Sequence, residues 1–223
     1  MSDNHTLLNF SKTDKVILWF GFPIIGLVFG WSLPSIAEWG SSLPWLPFQG
    51  PLKLIATYNG AWVGFVTMIL GLIAGIALTL LSFHESLEAS VFDDKVILKL
   101  RDEKIILKKQ DISLVFMDDK KQLVMLGNDE KELFRCKQEL NSSRVGAAFI
   151  KHNYVWGDTD PFKHDFKIWV LDSPDLSPAA NALLKARETA INKGNDEEAF
   201  QLAQELWKLR VSVKEKDKRQ YYR

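Results

Sequence analysis

The sequence predicts an α+β membrane protein: a two-helix transmembrane hairpin, then an antiparallel sheet closed by one helix, then an α-helical hairpin. Three observations predict it. Of 28 basic and 28 acidic side chains in 223 residues, only Asp3, Lys12, Asp14, Lys15, Glu38 and Lys53 lie in residues 1–83. From Leu87 to about Lys137 apolar residues alternate with a period of two, and from Ser177 onward they recur at three- and four-residue spacing. Charges balance in the second segment as they do overall, which excludes a strongly basic nucleic-acid-binding domain or an acidic tail at the level of whole domains. Cys136 is the only cysteine, so a disulfide-stapled secreted domain is excluded as well.

Residues 1–15 read as a cytoplasmic N-terminal tail and residues 16–84 as the hairpin. Between Lys15 and Glu38, 22 residues carry no charge, and between Lys53 and Glu85 another 31 carry none. A hydrocarbon core of about 30 Å takes roughly 20 helical residues, so each run is long enough to cross it, with helices expected over 16–37 and 60–83. In a soluble fold, two such runs would leave no polar faces to meet water. A cleavable signal peptide fits poorly, because Asp3 and Asp14 sit beside Lys12 and Lys15 and no small-x-small site follows. Pro23 removes one backbone bond from the first helix and is expected to kink it.

The connector over 38–59 holds Trp39, Pro44, Trp45, Pro47, Phe48 and Pro51. Aromatics at that density favour the headgroup layer, so it is expected to lie along the interface. Lys12 and Lys15 precede the hairpin and Lys95, Lys99 and Arg101 follow it, against Lys53 alone in the connector. The positive-inside rule then gives a multi-pass cell-membrane protein with both termini in the cytoplasm. Gly26-x-x-x-Gly30 and Gly71-x-x-x-Gly75 allow close helix approach, either within the hairpin or between two copies as a homodimer. Neither span contains an ionisable side chain, which argues against a proton relay, ion pump or charged-substrate pathway.

Residues 85–156 form the strand-rich module. Its runs are Leu87–Phe92, Val96–Leu100, Lys104–Leu107, Ile112–Met117, Gln122–Leu126 and Glu132–Cys136, separated by polar turns such as Asp93-Asp94, Asp118-Asp119 and Gly127-Asn128-Asp129. Short strands at eight- to ten-residue intervals indicate an antiparallel meander. A helix closes it, with Ser143 as a cap residue and Val145, Ala148, Phe149 and His152 on one face. A meandering sheet with one C-terminal helix resembles a pleckstrin-homology-like (PH-like) domain in its bacterial form. The resemblance implies a sheet edge or loop surface for a lipid headgroup or a partner protein.

A linker over 157–176 contains the short apolar run Phe166–Leu171, read as a strand. Residues 177–223 follow as a helical hairpin with a basic tail. Ser177-Pro178 supplies a cap and a first-turn proline for a helix ending near Lys193-Gly194. Asn195-Asp196-Glu197-Glu198 is a capping box for the next helix, which places Ala199, Leu202, Ala203, Leu206 and Leu209 on one face. The run from Ala199 to Glu215, with Leu184, Ala186 and Arg187 upstream and an aromatic-arginine end, is similar to the small anticodon-binding domain of bacterial cysteinyl-tRNA synthetases. It departs from that pattern at Phe200, Ala203 and Arg210. The hairpin, His152-Asn153-Tyr154-Val155-Trp156, Asp160-Pro161-Phe162, Phe166–Val170, Leu183–Arg187 and Arg219–Arg223 together resemble the bacterial YqeB family of membrane proteins. That resemblance implies the same order of parts and no particular activity.

Phosphate-loop, dinucleotide, His-Glu-x-x-His, Cys-x-x-Cys and Gly-x-Ser-x-Gly motifs are absent, so no catalytic, cofactor or metal residues are expected. Asp158, Asp160, His164 and Asp165 put four potential metal ligands in eight residues, but beside Pro and Gly these types are turn formers first. Cys136 alternates with Phe134 and reads as a buried thiol. The expected contact with an anionic partner is the C-terminus: Lys208, Arg210, Lys214, Lys216, Lys218, Arg219 and Arg223, interleaved with Tyr221 and Tyr222. Such a set fits RNA, lipid or an acidic protein surface, or a solvated tail. The expected function is a non-enzymatic membrane-anchored binding or scaffold protein, whose partners are the bilayer and another membrane or cytoplasmic protein. Membrane-tethered tRNA or RNA binding is the alternative.

Overall fold

The computed structural model describes residues 5–43, 49–50, 57, 61–216 and 219–223. Residues up to Asn9 together with Leu87–Arg223 form one compact unit, and Phe10–Ser86 form a second.

The second unit is a pair of helices long and apolar enough to cross a membrane, α1 (Lys12–Ser41) and α2 (Ala61–His84). Helix α1 starts four residues before the charge-free run. The reason is a capping box: the Ser11 hydroxyl accepts from the Asp14 amide at 3.1 Å while the Asp14 carboxylate accepts from the Ser11 amide at 3.0 Å. It continues through Pro23 and Pro34 to Ser41, past the expected end at residue 37. Most of the expected connector, including Pro44, Trp45, Pro47, Phe48 and Pro51, lies outside the described residues.

The two glycine motifs face each other inside this hairpin. A Cβ on Gly26 would strike the carbonyl of Gly71, one on Gly30 the carbonyl of Thr67, and one on Gly75 the carbonyl of Phe22. The Thr79 hydroxyl donates to the Leu18 carbonyl across the pair at 2.9 Å. Trp19, Phe20, Ile24, Ile25, Ile69, Leu70 and Ile73 point outward and are exposed.

The first unit begins at β1 (Thr6–Leu8), a strand where the sequence predicts only a tail. It pairs antiparallel with β2 (Glu88–Val91), followed by β3 (Lys95–Leu100) and β4 (Glu103–Lys108) in a four-stranded sheet of order β1-β2-β3-β4. A 3₁₀ turn at Lys109–Asp111 ends this sheet and starts another. Here β5 (Ile112–Met117), β6 (Gln122–Gly127) and β7 (Glu132–Lys137) run antiparallel. Residues Trp156–Gly157, β8, add to β5 in parallel. The expected single meander is therefore two sheets. Their inner faces share one core: Leu8, Ala89, Val91, Val96 and Leu98 from the first, Val115, Leu123, Met125 and Phe134 from the second.

Helix α3 (Ser142–Lys151) closes that core with Val145, Ala148 and Phe149. Its cap is Asn141, whose side-chain oxygen accepts from the Arg144 amide at 3.0 Å; Ser143, the expected cap, is inside the helix. Strand β6 is buried on both faces, because Phe116, Val124 and Leu126 form a second small core with Leu114 and Phe162 beneath the linker.

Beyond the linker, α4 (Pro178–Asn192) and α5 (Asp196–Lys208) form the expected helical hairpin. Ser177 caps α4 through the Ala180 amide at 3.2 Å. Gly194 at the joint has φ +70°, the left-handed conformation that closes a helix with least strain for glycine. Ala199, Ala203, Leu206 and Trp207 are the buried face of α5, whereas Leu209, expected there, is 44% exposed beyond the helix end. The expected basic tail is a hairpin of β10 (Val213–Lys216) and β11 (Arg219–Tyr222), and β11 also pairs with β9 (Lys167–Ile168). Trp169, Leu184, Leu206, Trp207, Val213 and Tyr222 form the core of this part.

Candidate functional site

Alternation along β7 puts Phe134 into the central core and Arg135 on the side of the sheet that the linker covers, and the register shift opposite Met125 and Leu126 brings Glu132 to that same side. The Arg135 guanidinium bonds both oxygens of Glu132 at 2.9 and 3.1 Å, Asp118 at 2.6 Å and the Gln122 side-chain oxygen at 3.2 Å. All three charged side chains are buried, at 4%, 1% and 6% exposure for Arg135, Glu132 and Asp118. Burial works against the guanidinium charge, but Glu132 and Asp118 outweigh it and hold Arg135 above the usual arginine range. Burial pushes the Glu132 carboxyl up, opposed by Arg135 and by the Ser212 hydroxyl.

This cluster is where the C-terminal part meets the sheet. The Phe166 ring has the Lys214 ammonium 3.8 Å from its centre and the Arg135 guanidinium 5.7 Å away. The Arg223 guanidinium stacks 3.7 Å over Phe162 and donates to the Glu130 carbonyl at 3.2 Å. Lys120 donates to the Glu215 carbonyl, and Gln201 and Gln204 of α5 reach Glu103 on β4 at 3.3 and 2.9 Å. On the core side, Phe134 meets Phe200 and Trp207 of α5 at ring distances of 6.2 and 6.4 Å. These contacts make the sheets and the helical hairpin one body.

The structure thus places most of the basic residues singled out in the sequence against their own chain. Lys208 pairs with Glu205, and Arg210, at φ 63°, pairs with Asp129 at 2.9 Å. Lys214 and Arg223 lie on Phe166 and Phe162, and burial lowers the Lys214 pKa. Tyr222 is in the core and Tyr221 is half-buried opposite Lys214. Lys216 and Arg219 are exposed at directly opposed positions of the β-hairpin, and Lys218 lies outside the described residues. Sequence reasoning missed Glu132, Arg135 and Asp118. The available signal was Glu132 and Arg135, opposite charges flanking the apolar pair Leu133-Phe134.

His152, expected on the apolar face of α3, is fully buried but polar in its contacts. Its Nδ1 lies 2.6 Å from Asp93 and its Nε2 2.9 Å from the Thr6 hydroxyl. Hydrogen-bond partners on both nitrogens fix the ring and pin β1 to the turn after β2. Lys109 donates to the His152 carbonyl at 2.7 Å, and the Tyr154 hydroxyl to the Phe92 carbonyl at 3.0 Å. Cys136 is half-buried against the main core, and desolvation pushes its thiol up to about 12. Asp160 accepts from the Phe162 amide at 2.9 Å as a turn former, and among the described residues no three His, Cys, Asp or Glu side chains converge on a metal site.

A family model described as the YqeB-like bacterial PH domain matches residues 6–157, and one described as the cysteinyl-tRNA ligase anticodon binding domain matches residues 173–223. The chain is 38% identical, over all 223 of its residues and 92% of the relative's length, to the uncharacterized protein YqeB of Bacillus subtilis (strain 168). No solved structure matches it. The first match starts on β1 and ends on β8, so it takes in the apolar hairpin as an insertion between two paired strands of one domain. On these matches, the chain belongs to the family of YqeB-like bacterial PH-domain proteins.

Proposed function

We propose that this protein is a non-enzymatic, membrane-anchored binding or scaffold protein that presents its PH-like and C-terminal parts as one body at the cytoplasmic face of the cell membrane. The observation that carries the reading is the insertion of the apolar hairpin between β1 and β2. Asn9, Phe10 and Ser11 are all that separate β1 from α1, and Glu85, Ser86 and Leu87 all that separate α2 from β2. Because β1 and β2 are hydrogen-bonded neighbours, the hairpin leaves and re-enters the same sheet, which supports a reading with both flanks on one side of the bilayer. Exposed apolar side chains along both helices support a lipid environment. The lysines outside the hairpin support the cytoplasm as that side.

A two-point anchor on adjacent strands suits a scaffold, because it tethers the body at two chain connections of three residues each. The test is a pair of activity reporters fused after Arg223, one active only in the cytoplasm and one only outside, with carbonate extraction of membranes. Cytoplasmic activity in a carbonate-resistant fraction is expected. External activity, or release by carbonate, overturns the anchor. Crosslinking in intact membranes followed by purification of the full chain then identifies the partner.

RNA binding by the C-terminal part is the second reading, carried by the match over residues 173–223 and by the exposed pair Lys216 and Arg219. Crosslinking to RNA in cells tests it, and recovery at the level of an untethered control ends it.

A further inference from the structure

The outward face of the first sheet has a charge pattern that its own strands do not neutralise. Register puts Leu7 opposite Ser90, Ser90 opposite Ile97 and Ile97 opposite Ile106, a row running across all four strands. On one side of that row Lys99 stands opposite Lys104; on the other, Lys95 stands opposite Lys108. Like charges directly opposed on a sheet repel, so each pair costs stability unless an outside anion relieves it. Glu88, opposite Lys99, is the one acid in these register rows. Lys95 has an exposed contact at 3.7 Å with Asp94, and among the described residues Lys99, Lys104 and Lys108 form no ion pair. Ile106 is 54% and Leu7 42% exposed between them.

We propose that this face docks on the anionic lipid headgroups of the membrane that holds the hairpin, with the four lysines on lipid phosphates and Ile97 and Ile106 against the interfacial layer. This rests on the membrane-anchored reading above and adds the occupant of the exposed sheet face. Three features favour lipid over a protein ligand. The face is an open sheet surface, suited to a plane of charge. Its cations are lysines, which act as point charges on flexible stems and suit diffuse phosphates better than the fixed geometry of a carboxylate clamp. Two of its four strands, the edge strand β1 and its neighbour β2, are each joined to an apolar helix by three residues, a tether of about 10 Å at full extension.

The full chain in nanodiscs tests this by lysine acetylation followed by mass spectrometry, with phosphatidylcholine discs compared with discs containing phosphatidylglycerol. Lys95, Lys99, Lys104 and Lys108 are expected to react at least about threefold more slowly in the anionic discs, and high salt should remove the difference, since screening shortens to about 3 Å at 1 M. Exposed Lys185 and Lys193 serve as controls and should react equally in both. An Ile97→Ser, Ile106→Ser variant, altered only on the outer face, should lose part of the protection. Equal rates in the two discs, or equal slowing at the control lysines, overturns the proposal. So does protection that depends on added cytosolic protein and not on lipid charge, which would assign the face to a protein. Any of these failures leaves carbonate resistance and reporter topology untouched, so the anchor stands or falls separately.

Discussion

Replacing Arg135 with methionine isolates the charge buried where the second sheet meets the C-terminal part. Methionine keeps most of the stem's volume and removes four hydrogen bonds: two to Glu132, one to Asp118 and one to Gln122. Glu132 and Asp118 are then left at 1% and 6% exposure without their cation. Breaking a buried pair from one side costs about 3–5 kcal/mol, because the remaining charge has no partner. That is a large share of the about 5–15 kcal/mol that holds a typical domain. Asp118 softens the loss, since its other oxygen accepts from the Lys120 and Gln122 amides at 2.9 Å.

A second substitution separates charge from packing. Arg135→Met with Glu132→Gln should recover at least about 1.5 kcal/mol, the coupling expected of residues within one buried network. The pH dependence carries a sign of its own. Burial already raises the Glu132 pKa, and loss of Arg135 raises it further, so folding of the variant takes up a proton. Stability from a raised carboxylate is fully present below its unfolded pKa and is lost as pH rises through the folded one. The variant should therefore be closest to wild type near pH 5 and worst near pH 8, with a slope of up to about 1.4 kcal/mol per pH unit. Hydrogen exchange of β5–β7 peptides in the full chain, under increasing denaturant, measures this unit apart from the helices. A loss below about 1 kcal/mol at pH 8, or a variant more stable at pH 8 than at pH 5, would refute the argument.

Other outcomes follow from single contacts. Gly71→Val sets side-chain atoms against the Gly26 carbonyl and should force the hairpin helices apart, costing about 1–3 kcal/mol by the scale of overpacked cores, read as faster proteolysis in detergent. His152→Ala leaves Thr6 without its ring partner and should speed amide exchange of Thr6–Leu8 by at least about tenfold, consistent with about 1–3 kcal/mol for an unmade buried bond; unchanged exchange there would mean that β1 is held by its ladder alone. With its thiol near 12, Cys136 in the folded chain should alkylate on the order of 10³ times more slowly at pH 8.5 than in the unfolded chain. Its rate should keep rising tenfold per pH unit where the unfolded rate levels off near pH 9. Asn181→Ala removes the acceptor for the Trp169 indole at 3.0 Å and the Ser173 amide at 3.1 Å, and should lower the melting temperature of the C-terminal part without affecting the apolar helices.

Local signals reported much of the local structure, although the cap of α3 is Asn141 in place of Ser143. Six strands appear where apolar residues alternate, and Ser177-Pro178 and Asn195 open helices where capping chemistry requires them. Ser11 with Asp14 is a capping box equally legible in the sequence, and reading it would have set the start of α1 correctly. Three residues of β1 carry no period long enough to detect; they become a strand only because Val91, Ser90 and Ala89 offer a partner. The candidate site was the least legible part. Basic residues and tyrosines at the C-terminus read as a surface for an outside anion, yet the acids and rings that meet several of them come from the β6–β7 turn, the linker and α5.

The sequence by itself determined the two apolar helices, the six strands β2 to β7, the helical hairpin and the lack of known catalytic motifs. Each of these depends on residues within about one turn, strand or helix of one another, which is the range over which period and capping act. Tertiary structure alone decided that the meander divides into two sheets, that the glycine motifs close on each other within the hairpin, and that Lys214 and Arg223 rest on Phe166 and Phe162. It also decided which lysines stand opposed across β3 and β4. Those outcomes are set by register and by contacts between distant segments, and a one-residue shift in register would reverse which side chains face the core and which face out.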